Sequence, residues 1–96
     1  MTKADIVSQI SDQTGMEKGD VQVAVEAFMR AVRSNLESGE NVYLRGFGSF
    51  VVKTRAAKTG RNILAKKSIQ IPAHNIPSFK PSKDFVENVK VKVKVQ

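Results

Sequence analysis

Two stretches, "NVYLRGFGSFVVKTR" at residues 41–55 and "SIQIPAHNIPSF" at residues 68–79, decide the architecture of this chain. The first is rich in Val, Tyr and Phe and punctuated by Gly46 and Gly48, which predicts strands and a tight turn. From Val51 to Arg55 it alternates, with Lys53 and Arg55 on one side and Val52 and Thr54 on the other. The second stretch alternates at Ile69 and Ile71 and then meets Pro72 and Pro77. Proline removes a ladder donor, which argues against a central strand in a broad sheet. Together the two predict a two-stranded ribbon over about residues 52–76. Its tip is "TGRNILAKK", residues 59–67. About twelve extended residues at roughly 3.3 Å each carry that tip some 40 Å from its base.

Working outward, the N-terminal half reads as helical. Thr2 with Asp5 three residues on resembles a capping box, Ile6 and Ile10 share a face, and Gly15 stands where a left-handed residue ends a helix. From about Lys18 to Ser38, Val21, Val25, Phe28, Val32 and Leu36 form an apolar stripe of helical period, closed by Gly39. The resulting helix-turn-helix outline is not read as a recognition unit. Its second helix carries Asp20, Glu26 and Glu37, and acids face phosphates badly. Beyond the ribbon, Pro81 and Ser82 mark a helix start, with Phe85 and Val89 four apart. The closing "VKVKVKVQ" fits a helix and a strand equally well.

Charge separates the halves. Residues 1–50 hold five Lys/Arg against seven Asp/Glu, whereas residues 51–96 hold eleven against two, within a formal net charge of +7. Between Asn41 and Lys83 there is no acid, while Arg45, Lys53, Arg55, Lys58, Arg61, Lys66, Lys67, Lys80 and Lys83 are all basic. An ordinary soluble surface mixes both signs, so the partition points to a polyanionic partner. Ile63 and Leu64 sit among these cations at the tip with nothing nearby to bury them.

Other classes fit poorly. At 41% hydrophobic and 26% charged residues the composition is that of a globular domain, so a disordered basic tail is excluded. With one histidine and no cysteine there is neither a thiolate metal site nor a disulfide framework, and no cluster of acids and bases resembles an active centre. No cofactor or metal is expected. No apolar run approaches the roughly 18 residues of a membrane span, and no secretory leader is apparent, so the cytoplasm is the expected compartment. The basic region reads as strand rather than as an amphipathic helix, which argues against a membrane partner. RNA is a secondary possibility, because phosphate affinity ignores the sugar.

Without the ribbon, roughly 70 residues remain to build a core, near the lower end of what folds comfortably alone. Phe47, Phe50 and Phe79 at the ribbon base, with Phe28 on the long helix, offer more aromatic surface than so small a body needs. A two-fold dimer buries it and sets two basic ribbons side by side.

"GFGSF" at 46–50, "GRN" at 60–62, "IPAHNIPSFKPS" at 71–82 and the two leading helices, in that order, resemble the bacterial histone-like HU and integration host factor family. The resemblance implies an α+β fold: an intertwined dimer with a helical body, a short β-sheet and two long β-ribbon arms that curl around DNA in the minor groove. It implies one domain over residues 1–96. Residues 1–50 form the dimerisation body and the start of the sheet, 51–78 the arm, and 79–96 the C-terminal helix and tail. The matching arm contacts are Lys53, Arg55, Lys58, Arg61, Asn62, Lys66 and Lys67. Lys3, Lys18, Lys80 and Lys83 are the matching body contacts, and Phe28, Phe47, Phe50 and Phe79 the expected dimer core. The implied partners are double-stranded DNA and a second copy of the chain, or a paralogous subunit in a heterodimer. Where the family usually has a proline that wedges between base pairs, this chain has Ile63. Isoleucine serves as such a wedge but lacks the fixed φ of proline. With no helix suited to reading base edges, low sequence specificity is expected, which favours an HU-like role. A sequence-preferring role like that of integration host factor is the alternative.

Overall fold

The structure is a computed structural model that describes residues 1–62 and 67–95, with side chains described outside 59–70. In chain order it comprises α1 (Lys3–Thr14), α2 (Lys18–Glu37), β1 (Val42–Leu44), β2 (Gly48–Arg55), β3 (Lys58–Asn62), β4 (Lys67–Ile71), β5 (His74–Pro81) and α3 (Lys83–Lys92). This is an α+β fold.

The capping box at the start of α1 forms as its sequence predicts. Thr2 Oγ1 accepts from the Asp5 amide, and the Thr2 amide donates to Asp5 Oδ2 at 3.0 Å. Gly15 closes the helix at φ 76°, a left-handed conformation that costs a residue with a Cβ about 1–2 kcal/mol. α1 and α2 then pack as a hairpin in which Val7 and Val21 are buried.

The sheet has three strands in the order β1–β2–β5, all antiparallel, and the strands and tight turn predicted over residues 41–55 are β1, its turn and β2. β1 is short, pairing Val42 with Phe50 and Leu44 with Gly48 through the three-residue turn Arg45–Phe47. Gly48, read from sequence as part of that turn, is instead the first residue of β2. A Cβ there would lie 2.5 Å from the Lys80 carbonyl oxygen and 2.7 Å from the Phe79 ring, so only glycine lets β5 and Phe79 approach.

β5 is an edge strand, as its prolines require. The Val52 amide donates to Asn41 Oδ1 at 2.9 Å on the β1 side, so Val52 and its partner Pro77 form a pair without ladder hydrogen bonds. The missing N–H of Pro77 therefore points to the free edge, and by the same alternation so does that of Pro81. The edge most open to strand addition is thus short of donors.

β2 pairs β5 from Gly48–Pro81 out to Arg55–His74, and β3 pairs β4 from Lys58–Ile71 to Asn62–Lys67. The register is the same on both sides of the gap, so these form one ribbon interrupted at Ala56–Ala57 and Pro72–Ala73. Pro72 stands opposite Ala57 in that register, and its lack of an N–H accounts for the break. The expected division after residue 78 falls inside β5, because pairing persists to Pro81 and α3 begins only at Lys83.

α3 is anchored to the β1–β2 turn. Ser82 Oγ accepts from the Phe85 amide at 3.2 Å and donates to the Gly46 carbonyl at 3.1 Å, while the Ser82 amide donates to the Phe47 carbonyl at 2.8 Å. The C-terminal ambiguity resolves in both directions. The helix runs to Lys92, and Val93 then takes extended backbone at φ −105°, ψ 118°. With a radius of gyration of 18.9 Å, against roughly 13 Å for a compact chain of 100 residues, the molecule is far from a sphere.

Candidate nucleic-acid interface

The ribbon sorts its residues by face. Cross-strand partners share a face, so Lys53 with Ile76, Arg55 with His74, and Lys80 with Ser49 all lie on one side of the sheet. Lys53, Arg55, His74 and Lys80 are exposed there. The opposite side carries Phe50 and Val52, which line an apolar hollow with Phe28, Met29, Val32 and Leu36 of α2. One face of the ribbon base is therefore turned to the body and the other presents cations to solvent. At the end of this segment Thr54 donates to Asn75 Oδ1 at 2.7 Å, tying the strands together beneath Arg55. His74 Nδ1 lies 3.0 Å from the Pro72 carbonyl, an acceptor for an Nδ1–H donor. His74 pairs with Arg55 in the ladder and so shares the exposed cationic face.

Lys58 opens β3 and is exposed. Arg61, Asn62 and Lys67 are placed by their backbone in the β3–β4 ladder. Ile63, the expected wedge, and Lys66 lie outside the described residues.

Three of the body candidates share a position. Lys3, Lys18 and Lys83 are the first residues of α1, α2 and α3. A cation at a helix N-terminus opposes the macrodipole, at a cost of about 0.3–1 kcal/mol when exposed, so helix stability does not explain them. Helix starts do suit phosphate, which meets free amides as well as the ammonium. Lys3 has a protein partner in this chain: its Nζ lies 3.2 Å from Glu26 Oε1. The Glu26 carboxyl is held below its usual range, first by the hydrogen bond from Gln22 Nε2 and then by Lys3. Among the described residues the other ion pair is Arg33 with Glu37, so Lys53, Arg55, Lys80 and Lys83 carry uncompensated charge.

The aromatic candidates assemble partly within the chain. Phe50 and Phe79, directly opposed in the ladder, have ring centroids 4.8 Å apart; Phe47 lies 5.2 Å from Phe79 and 5.4 Å from Phe85. Phe85 is thus a fourth member of the cluster, signalled in sequence only by its spacing from Val89. Phe47 and Phe79 remain exposed on its outer side, and Phe28 is separate from the cluster and 47% exposed. A second apolar hollow, lined by Ile6, Ile10, Met16, Val25, Phe28 and Met29, opens beside it. Two hollows meeting at Phe28 and Met29 are a large apolar surface for a chain of 96 residues.

A small α+β body that projects an acid-free, cation-faced ribbon has the layout of a protein built to hold a polyanion. Comparison with known proteins gives that class its family. The profile described as bacterial DNA-binding protein matches residues 1–90. DNA-binding protein HU of Thermus thermophilus is 43% identical over 90 residues, covering 94% of this chain and 93% of that protein. HU of Staphylococcus aureus is 39% identical over 90 residues, 94% of this chain and all of that one. Among solved structures, Anabaena HU in a cocrystal with DNA superposes with a TM-score of 0.84 at 29% identity, covering 98% of this chain and 100% of that one. The chain belongs to the bacterial DNA-binding protein family that includes HU.

Proposed function

We propose that two copies of this chain, or one copy and a paralogous subunit, form an intertwined dimer that holds duplex DNA between two arms, bends it and compacts it in the bacterial nucleoid. The family's work is architectural DNA binding rather than catalysis. What is added here is the assignment of roles to residues. Lys53, Arg55, Lys58, Arg61, Asn62, Lys66 and Lys67 line the arm, Ile63 is the wedge, and Lys3, Lys18, Lys80 and Lys83 hold flanking DNA on the body. Phe28, Phe47, Phe50 and Phe79 belong to the dimer core, and the two apolar hollows are the surface a second copy covers.

One observation carries this reading: the acid-free ribbon presents Lys53, Arg55 and Lys80 on a single exposed face while its other face turns to the body. Cations so arranged gain affinity by releasing counterions, with a slope of about −0.9 in log K against log salt for each phosphate neutralised. They read no bases. Insertion of Ile63 in the minor groove costs a few kcal/mol of unstacking and is repaid by bent DNA that touches more protein. Preference then follows deformability, so gaps, nicks and mismatches bind better than uniform duplex, and sequence matters little.

The test is a titration of one random duplex and the same duplex with a central gap, at several salt concentrations, using wild type and Ile63→Ala. Wild type should prefer the gapped duplex, and Ile63→Ala should lose that preference while keeping the salt slope. An unchanged preference would show that Ile63 is not a wedge and that the chain coats DNA without kinking it there.

A further inference from the structure

The match to the family ends at residue 90, yet the chain continues as alternating Val and Lys through Val91, Lys92, Val93, Lys94 and Val95. No acid follows Glu87. Helix stability accounts for part of this, since Lys90 and Lys92 occupy the last turn of α3, where cations complement the macrodipole. It does not account for Lys94, which lies beyond the helix end. Nor does packing explain the alternation, because Val91, Val93 and Val95 are 77%, 64% and 100% exposed. None of the three lysines takes part in the ion pairs found among the described residues.

The geometry points to an added DNA contact: we propose that Lys90, Lys92 and Lys94 form a second phosphate-binding segment, separate from the arm, that lengthens the stretch of duplex each dimer engages. Ser82 fixes the start of α3 at the Gly46–Phe47 turn, the end of the sheet away from the arm tip. Ten helical residues carry the chain about 15 Å from there. Beyond the helix Val93 takes extended backbone, which at roughly 3.3 Å per residue carries Lys94 past the last turn that holds Lys90 and Lys92. A cationic helix end and the residues just past it, starting from the body, meet the backbone of flanking duplex rather than the part held by the arms. Its contribution is electrostatic and adds to affinity without adding to the bend.

This inference rests on the DNA-binding reading above, and the experiment separates the two. Binding to random duplexes of increasing length is measured across a salt series for wild type, Lys90→Gln/Lys92→Gln/Lys94→Gln, the corresponding triple Arg variant, and Lys53→Gln/Arg55→Gln. The salt slope should fall by about 0.9 for each tail lysine that neutralises a phosphate, so by about 1.8 or more in a dimer with two tails. The shortest duplex that binds at full affinity should shrink, the triple Arg variant should behave as wild type, and the preference for gapped DNA should be unchanged. A slope and minimum length equal to wild type in the Gln variant, with Lys53→Gln/Arg55→Gln still impaired, overturns the tail proposal alone. So does binding of wild type to anionic phosphatidylglycerol vesicles that the Gln variant loses while its DNA slope is retained, which would make the segment a lipid contact. Failure of wild type to bind duplex overturns both readings.

Discussion

Gly48→Ala should destabilise the folded protein, although intrinsic preferences favour the change. At a strand position with ordinary backbone, replacing Gly by Ala restricts the unfolded chain and is worth about 0.4–1 kcal/mol of stability. Gly48 has no positive φ to forbid it. The opposing term is steric. The new Cβ would sit 2.5 Å from the Lys80 carbonyl oxygen and 2.7 and 2.8 Å from two atoms of the Phe79 ring. The carbonyl belongs to the backbone of β5, and the ring is held against Phe47 and Phe50, so neither yields freely. Overpacking of this kind costs roughly 1–3 kcal/mol, and a backbone contact puts it at the upper end, so the net loss is about 2 kcal/mol per chain. Urea denaturation of wild type and Gly48→Ala at one fixed protein concentration measures it. A Phe79→Leu background adds a second reading. It removes the ring contacts but leaves the carbonyl, so part of the penalty for Gly48→Ala should persist there. Equal or greater stability of Gly48→Ala in the wild-type background would refute the reasoning, by showing that β2 and β5 separate at little cost.

Two further outcomes follow from the packing and from the Glu26 carboxyl. Phe28 is half exposed in a single chain and would cost little to truncate in a monomer; in a dimer Phe28→Ala should cost about 3–5 kcal/mol and make the species dissociate at micromolar concentration, as sedimentation velocity would show. The Glu26 carboxyl should titrate below an ordinary glutamate by NMR and move back up in Gln22→Ala and in Lys3→Gln. Because its folded pKa is the lower one, its contribution to stability is present above the unfolded pKa and fades as pH falls through the folded value.

Much of the fold was legible because local chemistry and final structure agree. Thr2 and Asp5 cap α1, Gly15 ends it, the Val21–Leu36 stripe gives α2, and Ser82 starts α3. The prolines of β5 announced an edge strand. What could not be read was chosen by contacts distant in sequence. Gly48 looks like turn punctuation until Phe79, far along the chain, is placed against it. Phe85 joins the aromatic cluster only once Ser82 has tied α3 to the Gly46 carbonyl. For the candidate interface, composition gave the cations, alternation gave Lys53 and Arg55 a common side, and the ladder register then added Lys80 and His74 to it. The helix starts predicted at Thr2, near Lys18 and at Ser82 already place Lys3, Lys18 and Lys83 at helix N-termini, and the structure agrees.

The most direct test of the architectural claim is the shape of the DNA when the protein is bound. Energy transfer between dyes at the two ends of a duplex, followed to saturation with wild type and with Lys53→Gln/Arg55→Gln, reads that shape. Rising transfer at saturation, lost as salt displaces the protein and weakened in the double variant, is the predicted result. Saturated binding with the end-to-end distance unchanged would contradict it.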